Sequence, residues 1–453
     1  WLKPFWRHRL LTACNGSGAK MSFGLRCGLR SRHAVRVLSD VSASGRVSGE
    51  LVYRPMTETE RTFLNPAHFA ALLRAHGTTF FTGVPDSLLK DFLSFVSSNV
   101  PDKDHVIAAN EGTALATAAG HFLASGRIPC VYCQNSGLGN MVNPLLSLCS
   151  GRVYSIPALL MIGWRGEPGK KDEPQHLEQG RVTPSLLREM SVPHAILPDY
   201  PEGAFEVLET AYAHMARERT PFALLVKRQT FQPNGPTTNF GGFSDGDMLH
   251  REEVLQLVMT CFSNDFLVTT TGFTSREVFE LRKANGQSHA QDFLTVGSMG
   301  HCSSIALGVA NALRENQGRQ VLCVDGDGAV LMHMGSLPIV GNSGQTNLKH
   351  IIINNAMHDS VGGQPTCAGT VDFPAIALAC GYRTAGRERV GTDIPEALRK
   401  LRECEGPALL ELQVLPGSRA DLGRPTTSTH ENRDAFIDML RSGEDGPLPE
   451  PRN

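Results

Sequence analysis

One pattern limits the fold of this chain more than any other, and it occurs twice. Short apolar runs of strand length alternate with longer amphipathic segments, stop at a Gly- and Pro-rich stretch, and start again. In the first round Asn65 precedes a helix-like Pro66 to His76. Strands follow at Thr79 to Thr82, His105 to Ala109, Pro129 to Gln134, Ala158 to Ile162 and Phe222 to Val226, with helices at Ser87 to Val96 and Gly112 to Ala124. Residues 233–247, PNGPTTNFGGFSDGD, hold four Gly and two Pro and carry no period, so they read as a linker. The second round predicts helices over 251–262, 274–284, 302–315, 330–340 and 373–379, and strands over 266–270, 320–324, 348–353 and 408–414. Apolar strands without in-out alternation are buried on both faces, which means parallel sheets covered by helices. The expected architecture is two α/β domains, residues 60–232 and 248–430.

Composition narrows the class. Of 453 residues 41% are hydrophobic and 19% charged, which is globular. The richest apolar stretch, Ile156 to Trp164, is short and contains Pro157, well under the roughly 20 residues that cross a bilayer. Residues 1–39 carry eight Lys or Arg and no acid, so of 43 basic side chains 35 remain against 45 acidic ones in the rest. A body that acidic has no surplus cation for a phosphate backbone, so no nucleic-acid partner is expected, and no membrane either. Residues 1–55 have the Arg- and Ser-rich, acid-poor composition of a transit peptide, or are translated sequence upstream of Met21 or Met56. Residues 431–453 are assigned to a C-terminal tail, disordered from Gly443. Eleven cysteines, mostly in apolar segments, fit reduced intracellular thiols, in the mitochondrion if the leader is genuine and otherwise in the cytoplasm. Cys130 and Cys133 form one C-x-x-C with no second pair, so zinc or redox use is not expected of them.

The chemistry concentrates at Asp325-Gly326-Asp327-Gly328-Ala329, which follows an apolar strand, and at Asn354-Asn355, which ends another. Both clusters therefore sit at the carboxyl ends of parallel strands, where open α/β sheets bind ligands. A carboxylate and an amide oxygen suit a small hard cation such as Mg²⁺, and glycines let backbone N–H groups approach a diphosphate. A calcium loop fails, because its fifth, sixth and twelfth positions would be Ala329, Val330 and Ser336. Other nucleotide-binding, hydrolase and zinc-protease motifs are absent from the sequence.

With GDG followed at this distance by NN, the chain resembles the thiamine-diphosphate enzymes over about residues 62–430. That resemblance implies two thiamine-diphosphate-binding-fold domains, a pyrimidine domain and a diphosphate domain. It also implies that Asp327, the Asn355 side chain and the Met357 carbonyl ligate Mg²⁺, while Gly328, Ala329 and Ser360 hold the diphosphate. Gly297-Ser-Met299-Gly300 matches the segment that grips the aminopyrimidine, with Met299 as the apolar wedge and the Gly297 carbonyl as acceptor. Glu111, between a strand and a helix, would share a proton with N1′ of the pyrimidine. Its ordinary reading is a carboxylate favoured at a helix N-terminus, and that of Met299 is core packing.

The linker leaves no room for a middle domain. Within the family the chain is most similar to the phosphonopyruvate decarboxylases, and next to the sulfopyruvate decarboxylases. Three stretches carry this likeness: Gly83-Val-Pro-Asp-Ser-Leu-Leu-Lys90, Arg165-Gly-Glu-Pro-Gly-Lys-Lys-Asp-Glu-Pro-Gln-His176 and His358-Asp-Ser-Val-Gly-Gly-Gln-Pro-Thr366. Asn354-Asn355-Ala356-Met357 departs from the Asn-Asn-Gly-Ala expected there. The resemblance implies decarboxylation of 3-phosphonopyruvate to phosphonoacetaldehyde in phosphonate biosynthesis, in a homodimer or larger assembly whose Glu111 reaches the neighbouring chain's cofactor. A doubly anionic substrate needs local cations, for which Arg165, Lys170 and Lys171 are candidates, joined by Asp86 and His301 as substrate residues. A solvated basic loop is the plainer reading of that segment. Two other classes stay open: a carboligase of the acetolactate synthase type, opposed by the missing middle domain, and an inert cofactor-binding protein, opposed by the intact Glu111 and Asp327.

Overall fold

Strands that are apolar on both faces need a layer of helices on each side, and both rounds of the pattern build that arrangement. The computed structural model describes residues 63–234, 242–244, 246–313 and 319–442. In the first half β1 (Phe81–Gly83), β2 (His105–Ile107), β3 (Cys130–Gln134), β4 (Leu159–Gly163), β5 (His194–Ile196) and β6 (Phe222–Val226) form one sheet in the order β2-β1-β3-β4-β6-β5. All its pairings are parallel. Around it lie α1 (Pro66–Ala75), α2 (Lys90–Asn99), α3 (Glu111–Ser125), α4 (Leu138–Pro144), α5 (Pro174–Glu189) and α6 (Pro201–Glu218). Alternate residues of β3 feed two separate cores, Cys130 and Tyr132 into one, Val131 and Cys133 into the other. The C-x-x-C cysteines thus lie buried as packing, and burial pushes both thiols up.

The second half repeats the plan. Its strands are β7 (Phe266–Thr269), β8 (Asp292–Leu294), β9 (Val321–Gly326), β10 (Leu348–Asn354), β11 (Thr384–Glu388) and β12 (Ala408–Gln413), in the order β11-β12-β10-β9-β7-β8. They too are all parallel. Its helices are α7 (Arg251–Cys261), α8 (Phe273–Ala284), α9 (Cys302–Ala312), α10 (Asp327–Met332), α11 (Ser336–Gly341), α12 (Phe373–Ala379), α13 (Ile394–Glu403) and α14 (Thr429–Arg441). No helix among the described residues is long and apolar enough to cross a membrane.

Helix ends follow local chemistry. Asn65 caps α1 by accepting from the Ala67 and His68 N–H groups, and Pro66 occupies the first turn, where no N–H is needed. Asn110 caps α3 in the same way, and Gly126 closes it in the left-handed conformation.

The structure corrects two expectations. The helix expected over 330–340 is two, because Pro338 has no N–H to give the Met334 carbonyl in a continuous helix. The chain beyond 430 is not tail from its start. Ser428 and Glu431 form a capping box, Phe436 of α14 packs against Phe266 and Phe293, and Asn432 exchanges hydrogen bonds with Leu294 N–H and the Asp292 carbonyl. The leader and most of the linker lie outside the described residues.

Candidate active site

Register brings the two motifs together. Ile353 of β10 pairs with Gly326 of β9, so Asp327 and Asn355 leave the sheet side by side. The order also reverses here, with β8 on one side of β7 and β9 on the other, and such switch points open a crevice for ligands. Thr270, Thr271 and Phe273 after β7 line that crevice, with Met299, Gly326 to Ala329, Asn355, Met357, His358 and Ser360.

Asp327 is buried, and its Oδ2 accepts from Thr366 Oγ1 at 2.5 Å. No Lys or Arg pairs with it among the described residues, and burial pushes its carboxyl up to about 7. Asn354 turns into the core, donating to Glu411 Oε1 at 2.7 Å, whereas Asn355 faces the crevice. Asn355 Nδ2 donates to Asp359 Oδ2 at 2.6 Å, and its Oδ1 accepts from Met357 N–H at 3.0 Å. Asp359 is braced in turn by Arg251, whose guanidinium forks buried Glu277 at 2.7 and 2.9 Å. A Cβ on Gly328 would stand 3.1 Å from the His358 ring, so glycine lets the backbone close in there. A buried carboxylate without a counter-charge, an amide oxygen and a carbonyl form a donor set that fits a small hard divalent cation.

The turn before α9 aims Met299 at the same crevice. Gly297, Ser298 and Gly300 all have left-handed φ, at +79°, +49° and +84°. Gly297 N–H donates to Thr271 Oγ1 at 2.9 Å, and a Cβ on Gly300 would lie 2.5 Å from the His333 ring. His301 is exposed, with its ring 4.4 Å from that of His333, and does not line the crevice.

In the first half Glu111 opens α3 and is buried, which pushes its carboxyl up against the opposing bond from Asn140 Nδ2 at 2.7 Å. A Cβ on Gly137 would fall 2.3 Å from Glu111 Oε1, so that glycine makes room for the carboxyl. Glu111 stands outside the crevice lining, but its neighbour Asn110 donates to the Met332 carbonyl of α10 at 3.4 Å. Gln175 approaches Gly297, and Lys90 approaches Gly362, so the strand ends of both halves face each other within one chain. Asp86 is fully buried, and burial pushes it up to about 6 despite the attraction of Arg165. Its Oδ2 accepts from Leu88 N–H at 2.7 Å, and its Oδ1 has no hydrogen-bond partner among the described residues.

The expected substrate cations fare unevenly. Arg165 is held by Asp172, through Nε at 2.9 Å and Nη2 at 2.5 Å, and by Ser87 at 3.0 Å. Lys170 and Lys171 are exposed on the loop and do not line the crevice. The structure supplies a cation that sequence reading passed over. Arg276 of α8 does not line the crevice either, but it is half-buried 5.6 Å from the ring of Phe273, which does, and has no carboxylate partner among the described residues; burial together with the Arg165 charge lowers its pKa. A lone Arg on a helix reads as solvated surface, so the sequence held no signal for it. Thr366 and Asp359 lay within a stretch already singled out, but their roles need the fold.

Comparison with known proteins agrees with this geometry. Residues 66–184 match the thiamine pyrophosphate enzyme N-terminal TPP binding domain, and residues 270–412 the C-terminal TPP binding domain. A phosphonopyruvate decarboxylase of Streptomyces hygroscopicus is 37% identical over 384 residues, covering 81% of this chain and 92% of the relative. A sulfopyruvate decarboxylase of Methanosarcina acetivorans is 26% identical, covering 77% and 90%. The beta subunit of a sulfopyruvate decarboxylase of Methanothermobacter thermautotrophicus is 29% identical over 194 residues, 43% of this chain and 97% of that subunit. With two parallel six-stranded sheets matching two cofactor-binding domains and no middle domain between them, the chain belongs to the thiamine-diphosphate-dependent decarboxylases.

Proposed function

We propose that this enzyme decarboxylates 3-phosphonopyruvate to phosphonoacetaldehyde and carbon dioxide, with Mg²⁺ anchoring its cofactor, as a step of phosphonate biosynthesis. The observation that carries the reading is the 37% identity over most of the chain to a phosphonopyruvate decarboxylase, against 26% to a sulfopyruvate decarboxylase. When bound, thiamine diphosphate supplies the electron sink for loss of carbon dioxide from a 2-oxo acid.

The chain's own residues do the rest. Asp327, Asn355 and the Met357 carbonyl hold the cation, while Gly328, Ala329 and Ser360 receive the diphosphate. Met299 and the Gly297 carbonyl seat the aminopyrimidine. Glu111, with its raised pKa and its amide partner Asn140, holds the proton shared with the pyrimidine N1′. Asp86, buried with one oxygen free among the described residues and pushed up to about 6, hands on a proton after carbon dioxide leaves. The phosphonate needs charge-assisted donors in a protein otherwise acidic, and we assign it to Arg165 and Arg276, whose charges repel one another.

The test is carbon dioxide release from phosphonopyruvate, sulfopyruvate and pyruvate, each with and without Mg²⁺ and cofactor. Phosphonopyruvate should lead in kcat/KM by at least about tenfold, the scale of discrimination that one polar group supplies. A lead for sulfopyruvate would hand the substrate to the sulfonate.

A further inference from the structure

Gln364 is 1% exposed, and neither end of its carboxamide has a hydrogen-bond partner among the described residues. Burying such a group unpaired is costly, and an apolar side chain would fill the space without that cost. Turning the amide over only exchanges its ends, so one end always wants a donor and the other an acceptor.

The residue is rooted beside the cofactor crevice and reaches the seam between the halves. Its backbone carbonyl accepts at 2.8 Å from the N–H of His358, which lines the crevice, and Met357 pairs with Pro365 in an antiparallel bridge. A Cβ on Gly362 would stand 2.8 Å from Gln364 Oε1, 3.0 Å from its Nε2 and 3.3 Å from Lys90 Cβ. Lys90 lies one helical turn past Ser87, whose Oγ accepts from Arg165 Nη1 at 3.0 Å. The amide thus borders the corner assigned to the phosphonate. Gly362 and Gly363, at φ +136° and +75°, put no side chain in the way and let the turn yield to an entering ligand.

Charge is a poor discriminator in that corner. Asp172 forks Arg165 and offsets its charge, which leaves Arg276 as the guanidinium without a carboxylate partner among the described residues. One positive charge suits a sulfonate and a singly protonated phosphonate alike. The two anions differ in that the phosphonate has an O–H to donate, whereas the sulfonate has acceptors only. We propose that Gln364 selects the phosphonate, its amide N–H donating to one phosphonate oxygen while its carbonyl accepts the O–H of another. A sulfonate in the same place leaves the buried carbonyl without a donor, which is how sites built around a hydroxyl reject analogues that lack it. This inference rests on the substrate reading given above and assigns its specificity to one side chain.

The test compares kcat/KM for phosphonopyruvate and sulfopyruvate in the full-length wild type and in Gln364→Leu, with cofactor affinity by calorimetry as the check on folding. The variant should lose about 10–100-fold on phosphonopyruvate, the scale of an unmet buried hydrogen bond. On sulfopyruvate it should change by less than about threefold, because removing the orphaned carbonyl offsets the lost N–H. Equal losses on both substrates, or an unchanged ratio, overturn the proposal. Should Gln364→Leu fail to fold, the wild type decides alone. Its ratio of phosphonopyruvate to sulfopyruvate kcat/KM should fall as pH rises through the second ionisation of the phosphonate, where the O–H is lost. Taking the ratio cancels the titration of the enzyme's own groups, Asp86, Lys90, Arg165 and Asp172 across the seam and His358 and Asp359 on the same loop. A ratio that stays flat or rises there overturns the proposal. A wild-type lead for sulfopyruvate at every pH would sink the substrate reading instead, and the shift in ratio between wild type and variant still judges Gln364.

Discussion

The strand order β2-β1-β3-β4-β6-β5 of the first half becomes β8-β7-β9-β10-β12-β11 in the second, the same order shifted by six. Yet the carboxylates at the strand ends meet different company. Glu111 has an amide donor and Asp86 an unpartnered oxygen, both in dry pockets that favour a held proton. Asp327 sits beside a second oxygen-bearing motif, with no cationic side chain paired to it among the described residues. On the proposed function, one scaffold would yield a proton-handling half and an ion-binding half through its loops alone.

The largest effect expected from this contrast is on turnover without binding. Glu111→Gln keeps the shape and the contact with Asn140 but cannot share a proton, so turnover should fall about 10²–10⁴-fold. Cofactor affinity, read by calorimetry, should stay near wild type. Full turnover would remove Glu111 from the chemistry. Asp327→Ala should do the reverse, weakening Mg²⁺-dependent cofactor binding by about 100-fold or more, because an ion held partly through phosphate loses its one protein carboxylate. Unchanged affinity there would sink the ion assignment.

How legible this was depends on whether the chemistry is contiguous. Asp327 and Asn355 could be read because each closes an apolar strand and brings its own glycines or second amide. Glu111 carried no such mark, and only the resemblance to a family singled it out. Asn140 and Thr366 meet their partners across long stretches of sequence, so no local pattern announces them. The fold behaved alike. Central strands such as Phe222–Val226 show as unbroken apolar runs, whereas the short edge strands β5, β8 and β11 were missed. Thr384–Glu388, half-exposed and reading TAGRE, has no apolar run to detect.

The facing of the two halves leads to an assembly experiment. The contacts seen within one chain can equally form between two chains that exchange halves. One relative's beta subunit matches only 43% of this chain. In a dimer that pairs Glu111 with the partner's ion site, mixing Glu111→Gln with Asp327→Ala under subunit exchange should restore roughly a quarter of wild-type activity. No recovery despite demonstrated exchange would mean that each chain completes its own site.

A smaller effect separates the halves by pH. Asp86 has a folded pKa of about 6, above that of an exposed aspartate. Its contribution to stability is therefore full below about pH 4 and is lost as pH rises through 6. Asp86→Asn should flatten that part of the urea-denaturation profile and stabilise the protein at neutral pH by about 2 kcal/mol, while lowering activity. A variant whose profile tracks wild type across this range would show that the carboxyl is not desolvated.

The smallest effect concerns the turn after the central strand of each half. After β4 the left-handed residue is a glycine, Gly166 at φ +71°, where a Cβ would lie 1.8 Å from the His176 carbonyl oxygen. After β10 it is Ala356 at φ +56°, held by its N–H to Asn354 Oδ1 at 2.9 Å and by its carbonyl to Thr366 N–H at 2.9 Å. The ion-binding half thus keeps a side chain in a conformation that costs an L-residue about 1–2 kcal/mol. Ala356→Gly relieves that strain, and the greater freedom of glycine in the unfolded chain takes back about 0.5–1 kcal/mol. The net gain should be about 0.5–1 kcal/mol, a rise in Tm of about 1–3 °C, with unchanged cofactor affinity because the Asn355 and Met357 donors keep their places. If Tm falls instead, the Ala356 methyl packs well enough to outweigh its strain. If cofactor affinity falls, the strained turn is itself what holds the ion's ligands in register.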